Sequence, residues 1–355
     1  MNLRAFRKRR RLLFDRLLQK LELRTGIRWS NPSEVWLKLT ERCNCRCQMC
    51  DIWKQHRFSD GELTTQDWKK VLLGLRQWLG KMHIWFTGGD PFLRNDCVEL
   101  IGYSSSIGLS TGVITNGILL GPDDIPLLIE AGLNEYHVSI DSMDPKIHDH
   151  LRGITGAHKR ATGNVLLMKE FLNKSGKQMK IVIKTIIMGY NTKEILPLVE
   201  WTEKSGFNEI KFQPLESNLE GGDDPQWFNR SPFWPKGKEV IELAKIMERL
   251  IVKREGGGKI YNSIQELKSI KEYFLDPVGR YEQAKNHNLI EAKKRQICSG
   301  PMAWMEILSH GGLRICRYMP PQGDIRTTTP REFWRNRMEC WKNPAQFCFR
   351  GLKKG

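Results

Sequence analysis

The sequence predicts an α/β fold on a parallel sheet, and three observations carry that prediction. Between residues 33 and 215, short apolar runs alternate with helical stretches in six successive units. A strand followed by a helix and a further strand gives parallel pairing with the helices outside the sheet. No apolar run approaches the roughly 20 residues a membrane-spanning helix needs, so the apolar segments are core strands and helix faces. At 355 residues the chain can bury a substantial core, in one large or two moderate domains.

The strands expected from these runs are 35–40, 83–87, 111–115, 136–140, 180–187 and 209–213. Helices are expected at 64–79, 95–106, 124–131, 161–174 and 193–204 between or after them. Six units are two short of a closed eight-stranded barrel. Before them, residues 1–32 form a separate segment, with Arg7, Lys8, Arg9, Arg10 and Arg11 beside Leu3, Phe6, Leu13, Phe14, Leu17, Leu18 and Leu21 at helical spacing. Such a helix either packs its leucines on the sheet domain or lays residues 1–28 on an anionic bilayer, and an acid-poor targeting peptide is a third reading. After the sixth unit, residues 216–290 connect. An acidic, glycine-rich loop at 216–226 leads to lysine-rich helices at 236–253 and 263–274. Residues 291–355 make the final segment, which carries four of the nine cysteines.

A net charge of +17 and a pI near 9.5 point to an anionic partner, whether metabolite, acidic peptide, bilayer or nucleic acid. No recognisable nucleic-acid module accompanies the charge, so no specific nucleic-acid partner is expected. Nothing resembling a secretory signal is seen, which places the thiols in a reducing, cytoplasmic setting, with peripheral contact at the inner membrane face under the bilayer reading of residues 1–28.

The chemistry gathers at strand ends. Cys43, Cys47 and Cys50 form C-x3-C-x2-C just after the first strand. Three thiolates on one loop can hold three irons of a 4Fe-4S cube and leave the fourth open. Zinc normally asks for a second, distant pair of ligands, which this loop lacks. Cys45 is surplus and is expected to face away. Thr87-Gly88-Gly89-Asp90-Pro91 ends the second strand, where two glycines allow close backbone approach and a carboxylate can accept from an amino group. Thr115-Asn116-Gly117 ends the third strand. Ser139-Ile140-Asp141 ends the fourth, with Ser139 and Asp141 on one side by alternation, and His148 and Arg152-Gly153 follow. Lys184 and Gln213, on the fifth and sixth strands, are candidates to reach a substrate.

Together these motifs resemble the radical S-adenosylmethionine (SAM) enzymes. The cysteine loop matches that family's cluster loop, Gly88-Gly89-Asp90-Pro91 its GGEP motif with Asp for Glu, and the stretch from Ser139 to Gly153 a segment of members that modify peptides or build pterin and quinone cofactors. The resemblance implies a partial (β/α)6 TIM-like barrel. It further implies a 4Fe-4S cluster on Cys43, Cys47 and Cys50, with SAM held by Gly88, Gly89, Asp90, Thr115, Asn116, Ser139, Asp141 and Arg152. Arg152 is assigned to the SAM carboxylate. The family's aromatic residue after the last cysteine is replaced here by Asp51, with Ile52 and Trp53 following.

Near the carboxyl end, Cys298 precedes Gly311-Gly312-Leu313-Arg314-Ile315-Cys316, with Cys340 and Cys348 beyond. A cysteine followed by G-x4-C resembles the start of the SPASM or shorter twitch extension, and the full SPASM cysteine run is absent. That implies one auxiliary 4Fe-4S cluster on Cys298, Cys316, Cys340 and Cys348; zinc or unconnected thiols are the alternatives. The activity implied is reductive cleavage of SAM to a 5'-deoxyadenosyl radical, which abstracts hydrogen from an unactivated carbon of a small metabolite, a sugar or lipid headgroup, or a peptide. A reductant such as ferredoxin or flavodoxin is implied with it. The alternative reading is a maturase of a ribosomal peptide or an enzyme cofactor; a third is a non-enzymatic zinc or iron-sulfur protein that binds nucleic acid.

Overall fold

A computed structural model of the chain describes residues 30–54, 61–216, 226–279, 303–316 and 320–337. The basic segment 1–28 and Cys298, Cys340 and Cys348 lie outside the described residues.

Six strands run in the expected order: β1 (Glu34–Thr40), β2 (His83–Gly88), β3 (Ser110–Thr115), β4 (Glu135–Ser139), β5 (Lys180–Ile187) and β6 (Glu209–Pro214). Each pairs in parallel with the next. The helices between them are α1 (Thr65–Leu79), α2 (Cys97–Ser106), α3 (Asp124–Glu130), α4 (Pro145–Arg152), α5 (Ala157–Ser175) and α6 (Ile195–Lys204). Residues 226–279 add α7 (Trp227–Arg230), α8 (Lys238–Glu255) and α9 (Ile264–Leu275). The sheet stays open as a partial barrel, in the order β6-β5-β4-β3-β2-β1-β7-β8-β9.

The pairing of the last three strands with the barrel sheet was not foreseen. β7 (Trp304–Ile307) pairs in parallel with β1, and β8 (Gly312–Arg314) and β9 (Gly323–Asp324) continue the sheet antiparallel. Gly311, at φ +95°, makes the β7–β8 turn. The described part of the final segment therefore extends the barrel sheet at β1, where α10 (Pro330–Asn336) follows it.

Side-chain alternation explains both faces. Val35, Leu37 and Leu39 are fully buried on the helix-covered face of β1, each contributing about 1.5–3 kcal/mol by burial. Trp36 and Lys38 point the other way, into the concave face. Helix starts are set by capping boxes: Thr64 with Asp67 for α1 and Ser263 with Glu266 for α9.

Rings close the amino-terminal end of the concave face. Trp36 stacks on Trp85 at 5.7 Å, Trp85 meets His137 edge-on at 4.6 Å, and His137 meets Tyr261 at 5.9 Å. Trp85 reaches across β3 because Gly112 lies beneath it; a Cβ there would collide with the indole. Tyr261 arrives from beyond β6, beside the Ile210–Ile260 bridge.

Candidate active site at the carboxyl ends of the strands

The cysteine loop leaves β1 at Thr40 and is pinned from two sides. On one side Gly89 N donates to Thr40 O (2.9 Å) and Asp90 N to Arg42 O (2.8 Å). A Cβ on Gly88 would strike the Thr40 carbonyl, and one on Gly89 the Arg42 carbonyl. The sequence reading assigned this close approach to a ligand; in the structure the glycines make it to the loop backbone. On the other side, Arg46 N donates to Arg152 O and Gln48 N to Leu151 O, both at 3.0 Å, so the end of α4 brackets Cys47.

Within the loop the side chains of Cys43, Cys45 and Cys47 lie together. Cys45 therefore does not face away as expected. It is fully buried and hydrogen-bonds both Cys43 and Cys47. The Cys45 thiol is driven up chiefly by those two bonds and then by burial. The same contacts pull Cys43 below the usual thiol range and Cys47 to about 6, with Arg152 also lowering Cys47. Burial raises the Cys50 thiol. Among the described residues no three His, Cys, Asp or Glu converge to hold a single ion. A cube asks for something else, thiolates spread over separate irons, and the donor set of Cys43, Cys47 and Cys50 fits it.

Asp90 ties β2 to β3. Its carboxylate accepts from Phe92 N (3.1 Å), Thr115 Oγ1 (2.7 Å) and Asn116 N (2.8 Å), fully sealed from solvent. Burial raises its pKa to about 6 against those donors. Asn116 then reaches the cysteine loop, donating from Nδ2 to Asn44 Oδ1 at 2.7 Å. Thr115, Asn116 and Asp90 thus form one network within the protein.

Asp141 and Arg152 meet each other. Arg152 Nη2 lies 2.5 Å from Asp141 Oδ2, and Nη1 donates to Cys47 Sγ at 3.8 Å. Asp141 is fixed by Ile186 N on Oδ1 (3.0 Å) and by Asn191 on its carbonyl (2.7 Å). Burial works against the charge on Arg152, but Asp141 and the thiols outweigh it and hold the guanidinium charged. His148 Nδ1 accepts from Asp141 N (3.2 Å), and burial depresses its pKa to about 2. It is a neutral structural histidine.

Ser139, Lys184 and Lys211 stand side by side across β4, β5 and β6, and Gln213 lies two residues on from Lys211 on the same side. Lys211 Nζ sits 4.6 Å from the Tyr261 ring centre. His137, one row below, is held near pKa 4 by burial, with Lys184 and Lys211 adding to the effect against Glu135.

Two residues near the loop escaped the sequence reading. Trp53 folds back to donate from Nε1 to Cys47 O (2.9 Å), with the Arg46 guanidinium 5.5 Å from its ring centre. Glu194 accepts from Ser142 Oγ, Met143 N and Asp144 N and organises the turn before α4. Trp53 lies three residues beyond Cys50, so the spacing rule for an adjacent aromatic missed it; nothing in the sequence marks Glu194. Of the distal cysteines, Cys316 is described, half-buried just after β8.

Comparison with known proteins adds to this geometry. Residues 37–202 match the radical SAM superfamily. The PqqA peptide cyclase of Bradyrhizobium diazoefficiens is 36% identical over 129 residues, covering 36% of this chain and 34% of the cyclase. The matched segment is about a third of that relative's length. The AdoMet-dependent heme synthase of Methanosarcina barkeri is 27% identical over 310 residues, 86% of this chain and 82% of the synthase. Among solved structures, Streptococcus suis SuiB bound to precursor peptide SuiA superposes with TM-score 0.62 at 15% identity, covering 90% of this chain and 68% of SuiB. The enzyme anSMEcpe with bound AdoMet gives 0.60 at 15% identity, covering 90% and 88%. These likenesses fix the fold.

Proposed function

We propose that this chain, whose residues 37–202 belong to the radical SAM superfamily, is an enzyme that cleaves SAM reductively and abstracts hydrogen from an unactivated carbon of a peptide or a carboxylate-bearing cofactor precursor. One observation carries the reading: a loop with three spread thiols is pinned between the end of β2 and the end of α4, at the carboxyl ends of the strands where barrel active sites gather. Cys43, Cys47 and Cys50 would hold a 4Fe-4S cluster there. When bound, cluster and SAM supply a 5'-deoxyadenosyl radical.

The chain's own residues shape and seal the chamber. Ser139 is the group offered to SAM, while Gly88 and Gly89 seat the cysteine loop. Asp90, Thr115 and Asn116 fix the strand ends among themselves. Lys184, Lys211 and Gln213 line the substrate side with positive and amide groups, which favours a substrate carrying carboxylates. The ring floor of Trp36, Trp85, His137 and Tyr261 keeps water from entering below. A peptide or cofactor precursor agrees with the relatives named for a peptide cyclase and a heme synthase, and narrows the wider set of metabolites and headgroups the sequence left open. An auxiliary cluster involving Cys316 is part of the proposal, as is a ferredoxin- or flavodoxin-like electron donor.

The test is anaerobic reconstitution with iron and sulfide, then SAM and dithionite. Iron-sulfur absorbance and 5'-deoxyadenosine are expected, and both iron at this loop and 5'-deoxyadenosine should be lost in the triple Cys43→Ala, Cys47→Ala, Cys50→Ala variant. A wild-type protein that takes up no iron-sulfur cluster would refute the reading.

A further inference from the structure

We propose that Arg152 is a positioning residue that acts on the Cys47 sulfur and sets how readily a cluster bound there accepts an electron, in place of the clamp on the SAM carboxylate that the family resemblance implies. The proposal rests on the assignment of Cys43, Cys47 and Cys50 as cluster ligands. Both amino groups of the guanidinium are engaged, Nη2 with Asp141 at 2.5 Å and Nη1 with Cys47 Sγ at 3.8 Å. The remaining Nε is buried without a hydrogen-bond partner. A bidentate grip on a carboxylate needs two parallel donors, and here the fork is spent.

The contact is built from both ends. Asp141 is anchored by Ile186 N, and its carbonyl by Asn191, so the carboxylate cannot follow the arginine if it moves. From the other end, the Arg152 and Leu151 carbonyls receive Arg46 N and Gln48 N, one residue either side of Cys47. The backbone that carries the guanidinium is thus the backbone that holds the thiol. Arg152 is 7% exposed and Asp141 fully buried, so solvent screens neither.

A donor N–H and a positive charge at a cluster sulfur stabilise the state with one more electron and raise the reduction potential. The electron enters from an external one-electron donor, and the arginine exchanges neither electron nor proton. Asp141, by holding the fork, keeps the charge at the sulfur.

The experiment is an EPR-monitored redox titration of the reconstituted protein without SAM, comparing wild type, Arg152→Gln and Arg152→Lys, with iron content and SAM Kd measured on each. Arg152→Gln should keep its iron and bind SAM within about threefold of wild type while its midpoint moves to a more negative potential. Arg152→Lys, which keeps charge and loses the fork, should move less in the same direction. An unchanged midpoint with SAM Kd raised tenfold or more would overturn the proposal and return Arg152 to the SAM carboxylate. Loss of the cluster in both variants would overturn it as well, leaving a structural strut. Failure of the wild type to take up any cluster would strike the functional assignment instead.

Discussion

Gly153, at φ +64°, lies so close to the Arg46 carbonyl that any side chain would collide with it. It caps α4 in the left-handed conformation and lets the helix end dock beneath the cysteine loop. Gly153→Ala should therefore cost about 1–3 kcal/mol from backbone conformation, plus the clash. Thermal melts should show the loss. Iron retained after gel filtration should fall with it, whereas Gly156→Ala, also at positive φ but with open space around it, should melt lower without comparable loss of iron.

Asp90 binds three donors from two strand ends in a sealed site. Asp90→Ala leaves Thr115 Oγ1 and two backbone N–H groups buried without their acceptor, and a loss of about 3 kcal/mol or more is expected. Urea unfolding measures it. The carboxyl has a folded pKa near 6, above its ordinary value, so the native state binds the extra proton. Its contribution to stability is fully present below about 3.8 and declines as pH rises through 6. Asp90→Asn, which cannot titrate, should lack that decline. A parallel pH dependence in both proteins would contradict the assignment.

His137 works in the opposite direction. Its folded pKa near 4 lies below the ordinary imidazole value, so the unfolded chain binds the proton more readily. Stability is present above about 6.5 and is lost as pH falls toward 4, by on the order of 3 kcal/mol in full. The stability difference between wild type and His137→Gln should narrow across that window, followed by fluorescence-detected unfolding at each pH.

Single substitutions of Cys43, Cys47 or Cys50 by Ala should each abolish 5'-deoxyadenosine formation. Cys45→Ala and Cys97→Ala should retain it, Cys97 being wholly buried in the core on α2. The position of Cys45 between Cys43 and Cys47 makes its variant the sharper test. If Cys45→Ala loses iron as fully as its neighbours, the ligand triad is a different one.

Cluster count separates a chemical from a structural carboxyl-terminal segment. With an auxiliary cube the reconstituted protein should contain roughly eight irons, and the triple variant of Cys43, Cys47 and Cys50 about half. Cys316→Ala should then spare SAM cleavage more than product formation. Four irons in the wild type, or zinc at the distal thiols, would remove the auxiliary site.

Much of the scaffold was legible because parallel strands buried by helices write themselves as apolar runs. All six expected strands of the barrel lie within one residue of their observed bounds. The site positions were legible too, since strand ends carry the polar motifs. Their partners were not. The pairing of Asp141 with Arg152, and of Asp90 with Thr115 and Asn116, depends on how neighbouring loops fold over one another, and nothing in spacing along one chain encodes it. The contacts of Cys45 with Cys43 and Cys47 depend likewise on the path of the loop backbone, which residue spacing does not encode. β7 was invisible for a different reason: four residues, remote in sequence from β1, carry too short a pattern to announce a partner.

The ring chain has a mechanical consequence. A sheet of open order has no hydrogen bonds joining its first and last barrel strands, yet Trp36, Trp85, His137 and Tyr261 run in contact from β1 to beyond β6, stepping over β3 at Gly112. They act as a tie-beam of packed rings across the amino-terminal end, while the end bearing the cysteines is tied through loop contacts, Arg152 joining Asp141 to Cys47 and Asn116 joining Asn44. Opening motions of this barrel should then pivot about the rings and widen at the loops, so that amide exchange is slow at the floor and fastest where substrate must enter.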